Sequence, residues 1–152
     1  MPDKTKNIIQ NEKSDEKEQT IETIYSEISS RRNKIERKLR ALLKHSLKLV
    51  HGNKCMSKLL ESLPSSQREI VNRYSFEKVW ENLYFSDLTL IIDKNWEDLQ
   101  KWFSTDKKNV MLWLNHINTF RIDAHAKSIS DEDLAYLRVC FKRMEEHLTE
   151  MD

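Results

Sequence analysis

The chain has 152 residues, a length that fits one domain with a substantial buried core. It holds one Gly and two Pro, which argues against a turn-rich β protein and leaves long helices as the default. Charged residues make up 34% of the chain, yet they nearly cancel to a net charge of +1, so no global field points to a partner.

Residues 1–19 are mostly Lys, Glu, Asp, Asn, Gln and Ser and hold too little apolar surface to offset ordering entropy. They read as a disordered arm ahead of a helical domain over 20–152. Residues 21–50 read as one long helix, whole or broken near Ser29-Ser30. Ile35, Leu39, Leu42, Ser46 and Leu49 recur at helical spacing and predict a core stripe. Arg37, Arg40, Lys44, Lys48 and His51 form a second stripe on the same helix. They belong to a block, 31–60, that carries ten Lys or Arg and the single acid Glu36. Such a stripe is ordinarily a solvated face, and it is also what a phosphate-tracking surface needs. Gly52 is placed to end this helix.

A short helix is expected over 54–63. Pro64 marks a turn before another, from about Gln67 to Tyr74. Ser75 then reads as the N-cap of a segment over 76–83, and Ser86 or Asp87 as the start of a helix containing Leu88, Leu90, Ile91 and Ile92. Asn95 is expected to cap the helix begun by Trp96, whose indole is expected in the core. Thr105 or Asp106 opens a helix predicted over 107–126. Ser130, with Asp133 three residues on, opens a final amphipathic helix through Leu134, Leu137, Phe141, Met144 and Leu148. The aromatic residues of the second half, Trp80 to Phe120, fit a core better than a base-stacking platform. No strand pattern, internal repeat or phosphate-binding Gly loop is present in the sequence.

Cys55 and Cys140 lack metal-type spacing, and His45, His51, His116 and His147 have no metal-ligand partners at useful spacing, so no metal or cofactor is expected. Nothing resembles a signal peptide or a bilayer-spanning run, and a cytoplasmic protein with two buried thiols is expected.

One segment stands out chemically. Arg121 and His125 are four residues apart, so on a continuous helix they lie about 40° apart on one face. They follow the apolar positions Val110, Leu114 and Ile117, with Asn118 beside them. An unpaired Arg is costly to bury, so Arg121 must pair, reach water or meet a partner.

The stretch from Tyr84 to Leu137 resembles the HEPN domain superfamily. The blocks that carry the resemblance are Asp87-Leu88-Thr89-Leu90-Ile91-Ile92, Asn95-Trp96, Asn118-Thr119-Phe120-Arg121 with Ala124-His125, and Ser130-Asp131-Glu132-Asp133-Leu134. By motif they cover about a third of the chain. The resemblance implies an antiparallel, all-α helical bundle that commonly forms homodimers. It also implies metal-independent ribonuclease chemistry, in which His125 would handle the proton of a ribose 2′-hydroxyl and Arg121 would stabilise charge on the phosphate. Asn118, Asp123, Asn95 and Trp96 would be structural parts of the motif, and Arg37, Arg40, Lys44 and Lys48 would contact RNA. The setting implied is a prokaryotic toxin–antitoxin or antiviral defence system, with an antitoxin or defence protein as partner.

Two positions depart from the family pattern. Only three residues separate Arg121 from His125, and Ile122 stands where a polar residue usually follows the Arg. Asp123 lies about 160° from Arg121 on an ideal helix and is no direct partner there. These departures keep a second function open, a non-catalytic HEPN module used for dimerisation or protein docking.

Overall fold

The computed structural model describes residues 4–120 and 129–149, with side chains from residue 21 onward. Among the described residues the fold is all-α, without strands. Helix α1 spans Lys4–His51. A single 3-10 turn follows, and then α2 (Cys55–Glu61), α3 (Ser65–Val71), α4 (Phe76–Val79), α5 (Phe85–Lys94), α6 (Trp96–Leu99), α7 (Lys107–Thr119) and α8 (Asp131–Leu148).

No Gly or Pro interrupts α1 along its 48 residues, and of the two readings the helix takes the continuous one, running through Ser29-Ser30 unbroken. It ends where the only glycine sits. Gly52 has φ +53, a left-handed conformation that closes a helix at little cost only when no Cβ is present.

Against α1 pack α8, α5, α2 and α6, and α7 lies across α5 and α8. The buried stripe of α1 is Ile28, Ile35, Leu39, Leu42, Leu43, Ser46 and Leu47. Leu49, expected to continue that stripe, is 63% exposed; the buried line passes instead through Leu43 and Leu47. The other helices contribute Leu59, Leu88, Ile91, Ile92, Val110, Leu114 and Ile117. Helix α8 buries Leu134, Leu137, Phe141, Met144 and Leu148, the periodic set read from the sequence, together with Cys140. Cys55 and Cys140 are both free and buried, and burial pushes the Cys140 thiol up.

Ion pairs join α1 to α8 beside their apolar contacts. Arg31 forms a two-pronged pair with Glu145 and lies over the Phe141 ring. Arg138 grips Glu27 through two bonds of 2.9 and 3.1 Å. Most of the aromatic set is core, as expected: Trp80, Phe85 and Phe103 are buried, and Trp96 stacks on Phe103 at 5.5 Å between centroids. Tyr84 departs from that expectation, being 69% exposed.

Several short elements begin or end elsewhere than the local sequence suggests. Helix α3 starts at Ser65, directly after Pro64, and ends at Val71. Ser75 occupies the N-cap position of α4 without a side-chain bond to it. Helix α5 starts at Phe85, ahead of Ser86 and Asp87. Helix α7 begins as expected, with the Asp106 carboxylate accepting from the Asn109 N–H at 3.0 Å. It ends at Thr119, however, and Phe120 has ψ 87, outside the helical region. The uninterrupted helix to residue 126 is therefore not formed. Arg121 and His125, and with them the face they would share, lie outside the described residues. Ser130 caps α8, accepting from the Asp133 N–H at 3.1 Å.

The Gly52 position gives a direct test. A Cβ added there meets nothing within 4 Å, so any penalty is conformational rather than steric. Gly52→Ala is expected to lower unfolding free energy by about 1–2 kcal/mol in urea denaturation, with an unchanged m-value.

Candidate nucleic-acid interface

The charged face of α1 is built by the same periodicity that builds its core. Lys34, Arg37, Lys44, His45 and Lys48 fall within one arc opposite the buried stripe, and no acid of α1 shares that arc between residues 34 and 48. Lys34, Arg37, His45 and Lys48 are exposed, and Lys44 is half-buried.

The structure separates the stripe residues by their partners. Arg37 carries no ion pair among the described residues. Arg40 sits at the edge of the face, where it donates to Glu36 and to the Leu83 carbonyl, each at 2.9 Å. Lys44 and Lys48 both reach Glu77 of α4, at 2.5 and 3.0 Å. The hydrogen bonds from Lys44 and then Lys48 hold the Glu77 carboxyl below the usual carboxylate range. His51 meets Asp98 at 3.0 Å. The charge-rich block is thus partly answered by acids from elsewhere in the chain.

An open cleft of about 720 Å³ adjoins this face, with Arg32, Arg40, Tyr84, Phe85 and Asn118 among its lining. Glu36 and Glu81 bring two carboxylates to the same cleft and offset the two arginines. Arg32 was counted in the basic block but not singled out by spacing, and it holds a central position. Its guanidinium donates to the Asn118 side-chain oxygen at 3.3 Å and to the Phe120 carbonyl at 3.1 Å, with a longer bond of 3.5 Å to the Ile117 carbonyl. It also lies over the Phe85 ring, 5.1 Å from the centroid. A cation against the last carbonyls of a helix is favourable both as a hydrogen-bond donor and through the helix dipole. Arg32 and Asn118 thereby fix the end of α7 next to the cleft.

Arg121, Asp123 and His125 lie outside the described residues. Arg121 follows directly after Phe120, whose carbonyl Arg32 holds.

The remaining motif residues have structural accounts. Asp87 is buried, and one of its oxygens accepts from the Tyr84 N–H at 2.8 Å and from the Gln67 amide at 2.9 Å. It caps α5 and ties α3 to it. Leu88, Ile91 and Ile92 are fully buried. Asn95 stands ahead of α6 but does not cap it with its side chain. Its amide instead donates to the Ser62 hydroxyl and the Ile91 carbonyl, both at 2.8 Å. Trp96 packs against the core, as expected. The His116 ring lies between Phe120 and Tyr136, and burial pushes its pKa down. His147 stacks on Trp113. Among the described residues no group of His, Cys, Asp and Glu is arranged to hold a metal ion. No helix among them is long and apolar enough to cross a membrane.

Comparison of the chain with protein-family models, with curated proteins and with solved structures gives no match. The functional reading therefore stands on the residues themselves.

The Asp87 cap can be checked by substitution. Asp87→Ala removes a helix cap and leaves the buried Gln67 amide with only a 3.4 Å bond to the Asn82 carbonyl, and is expected to cost about 1–3 kcal/mol of stability by chemical denaturation. Ser86→Ala, one residue away and exposed, is expected to stay within about 0.5 kcal/mol.

Proposed function

We propose that the protein is a HEPN-like RNA-binding domain of a prokaryotic defence or toxin–antitoxin system. The observation that carries this reading is the exposed face of α1, where Lys34, Arg37, Lys44 and Lys48 line one arc without an acid of their own helix. Affinity for RNA comes largely from its phosphates, and a line of cations on a rigid element suits that task. The cleft beside that face runs to the end of α7, immediately ahead of Arg121 in the chain.

Metal-independent ribonuclease activity is the chemistry that the HEPN resemblance brings to Arg121 and His125. His125 would take the proton of the attacking 2′-hydroxyl, and Arg121 would pair with the phosphate as the P–O5′ bond breaks, leaving a 2′,3′-cyclic phosphate and a 5′-hydroxyl protonated from solvent. Both claims are testable together. The protein is expected to bind single-stranded RNA with a log–log salt slope that becomes shallower by about 0.7 per lost phosphate contact in Lys34→Gln/Arg37→Gln. In the presence of EDTA it is expected to cleave structured RNA, and Arg121→Ala/His125→Ala is expected to abolish cleavage while binding persists. Identical products from both proteins, or none from either, would remove the nuclease claim and leave binding to be judged by the salt slope.

A second reading, a non-catalytic module that forms homodimers or docks on a partner protein, is favoured by a different surface. Leu112 of α7 and Tyr136 and Val139 of α8 are exposed, and Tyr136 meets the His116 ring at 4.3 Å across the two helices. This reading expects a dimer in sedimentation velocity at micromolar concentration that dissociates in Leu112→Glu/Val139→Glu. A wild-type monomer under those conditions would count against self-association through this ridge.

A further inference from the structure

Glu77 is the carboxylate that the rest of the chain delivers to Lys44 and Lys48. One of its oxygens meets Lys44 and the other meets Lys48. The two lysines are one turn apart on α1, with ammonium groups set along the helix axis at a rise of about 6 Å between their Cα atoms. A single two-oxygen anion is therefore held between two cations, each oxygen answered once. A phosphodiester presents the same pattern through its two non-bridging oxygens, with one negative charge.

Glu77 is also poorly placed to be a structural anchor. It is 56% exposed, and its carboxylate has no partner among the described residues other than those two lysines. Its helix is held by other groups. Val79 and Trp80 are buried, and the Phe76 and Trp80 rings meet edge to face at 5.6 Å. The carboxylate can swing away while α4 stays in place. Exposed ion pairs of this kind contribute little to stability, so releasing them costs little. Neighbouring cations on the same face, Lys34 and Arg37, have no such internal anion among the described residues, which leaves Glu77 as a plug at one point of an otherwise open track.

We infer that Lys44 and Lys48 form a phosphate site in which Glu77 is the resident counter-ion, exchanged for an RNA phosphate on binding. The inference rests on the RNA reading of the α1 face and adds to it a specific contact and a built-in brake on affinity. An exchange of this kind has a distinctive signature. A phosphate that displaces Glu77 sheds its condensed cations, but the freed carboxylate offsets this by drawing cations back at the same site, so these two lysines contribute little to the salt slope. Once Glu77 is removed, the cations leaving the RNA are no longer offset and the slope steepens.

The test uses the full chain, a labelled single-stranded RNA oligonucleotide and anisotropy titrations over a series of salt concentrations. Glu77→Gln is expected to tighten binding on the order of 3- to 10-fold near 0.1 M salt and to steepen the log–log slope by about 0.7 for each phosphate newly neutralised. Glu77→Gln/Lys44→Gln/Lys48→Gln is expected to lose both gains. Circular dichroism checks that each variant stays helical. A parallel titration with inorganic pyrophosphate, followed by NMR of the lysine side chains, is expected to perturb Lys44 and Lys48 at lower concentration in Glu77→Gln than in the wild type. RNA binding with unchanged affinity and slope in Glu77→Gln overturns the exchange and leaves the RNA reading standing. Pyrophosphate perturbation of the two lysines without RNA binding by either protein keeps the anion site and overturns the RNA reading. Neither response overturns both.

Discussion

The fold depends on the burial of one side of α1. Ile28, Ile35, Leu39, Leu42, Leu43 and Leu47 are the surface against which the later helices assemble, and the hydrophobic effect acts through that stripe. A helix of this length is stable in water mainly because one face is covered by others. The same geometry turns the opposite face outward, and its lysines and arginines follow from the 3.6-residue period as directly as the core does. Core and candidate interface are thus two sides of one periodic sequence.

Ion pairs shape what that outward face can do. At the α1–α8 seam, Arg31 and Arg138 meet Glu145 and Glu27 and help register two helices far apart in sequence. On the exposed side, Glu77 and Asp98 arrive from α4 and α6 to meet Lys44, Lys48 and His51. A local count of charge overstates the available cationic surface, because these acids lie tens of residues away in the chain. What stays open is concentrated toward Lys34 and Arg37.

Much of the architecture was legible from residue types and spacing. The scarcity of Gly and Pro gave helices, Gly52 marked the end of α1, and Ser130 with its following apolar repeat gave α8 almost residue by residue. Other features depend on contacts that no local window contains. Leu49 fits the same helical period as Leu42 and Ser46, yet the neighbouring helices cover the Leu43 and Leu47 side and leave it in water. Asn95 has the residue type and position of a cap, but its amide is drawn to Ser62, 33 residues back in the chain. The end of α7 has no breaker to announce it; there the last carbonyls meet Arg32 from α1. Glu77 has no motif at all. Its role becomes visible only when α4 is laid against α1. Of the pair that suggested chemistry, Arg121 and His125, the sequence supplied the residue types, and their mutual geometry lies outside the described residues.

Arg32 and Lys48 belong to the same unbroken helix, sixteen residues apart, or about 24 Å along its axis. A rod without glycine or proline between those points has no hinge at which to absorb strain. Arg32, whose guanidinium holds the Phe120 carbonyl, therefore sits on the same continuous element as the cationic face. The chain entering Arg121 is thereby tied, through Arg32, to the helix that carries the cations.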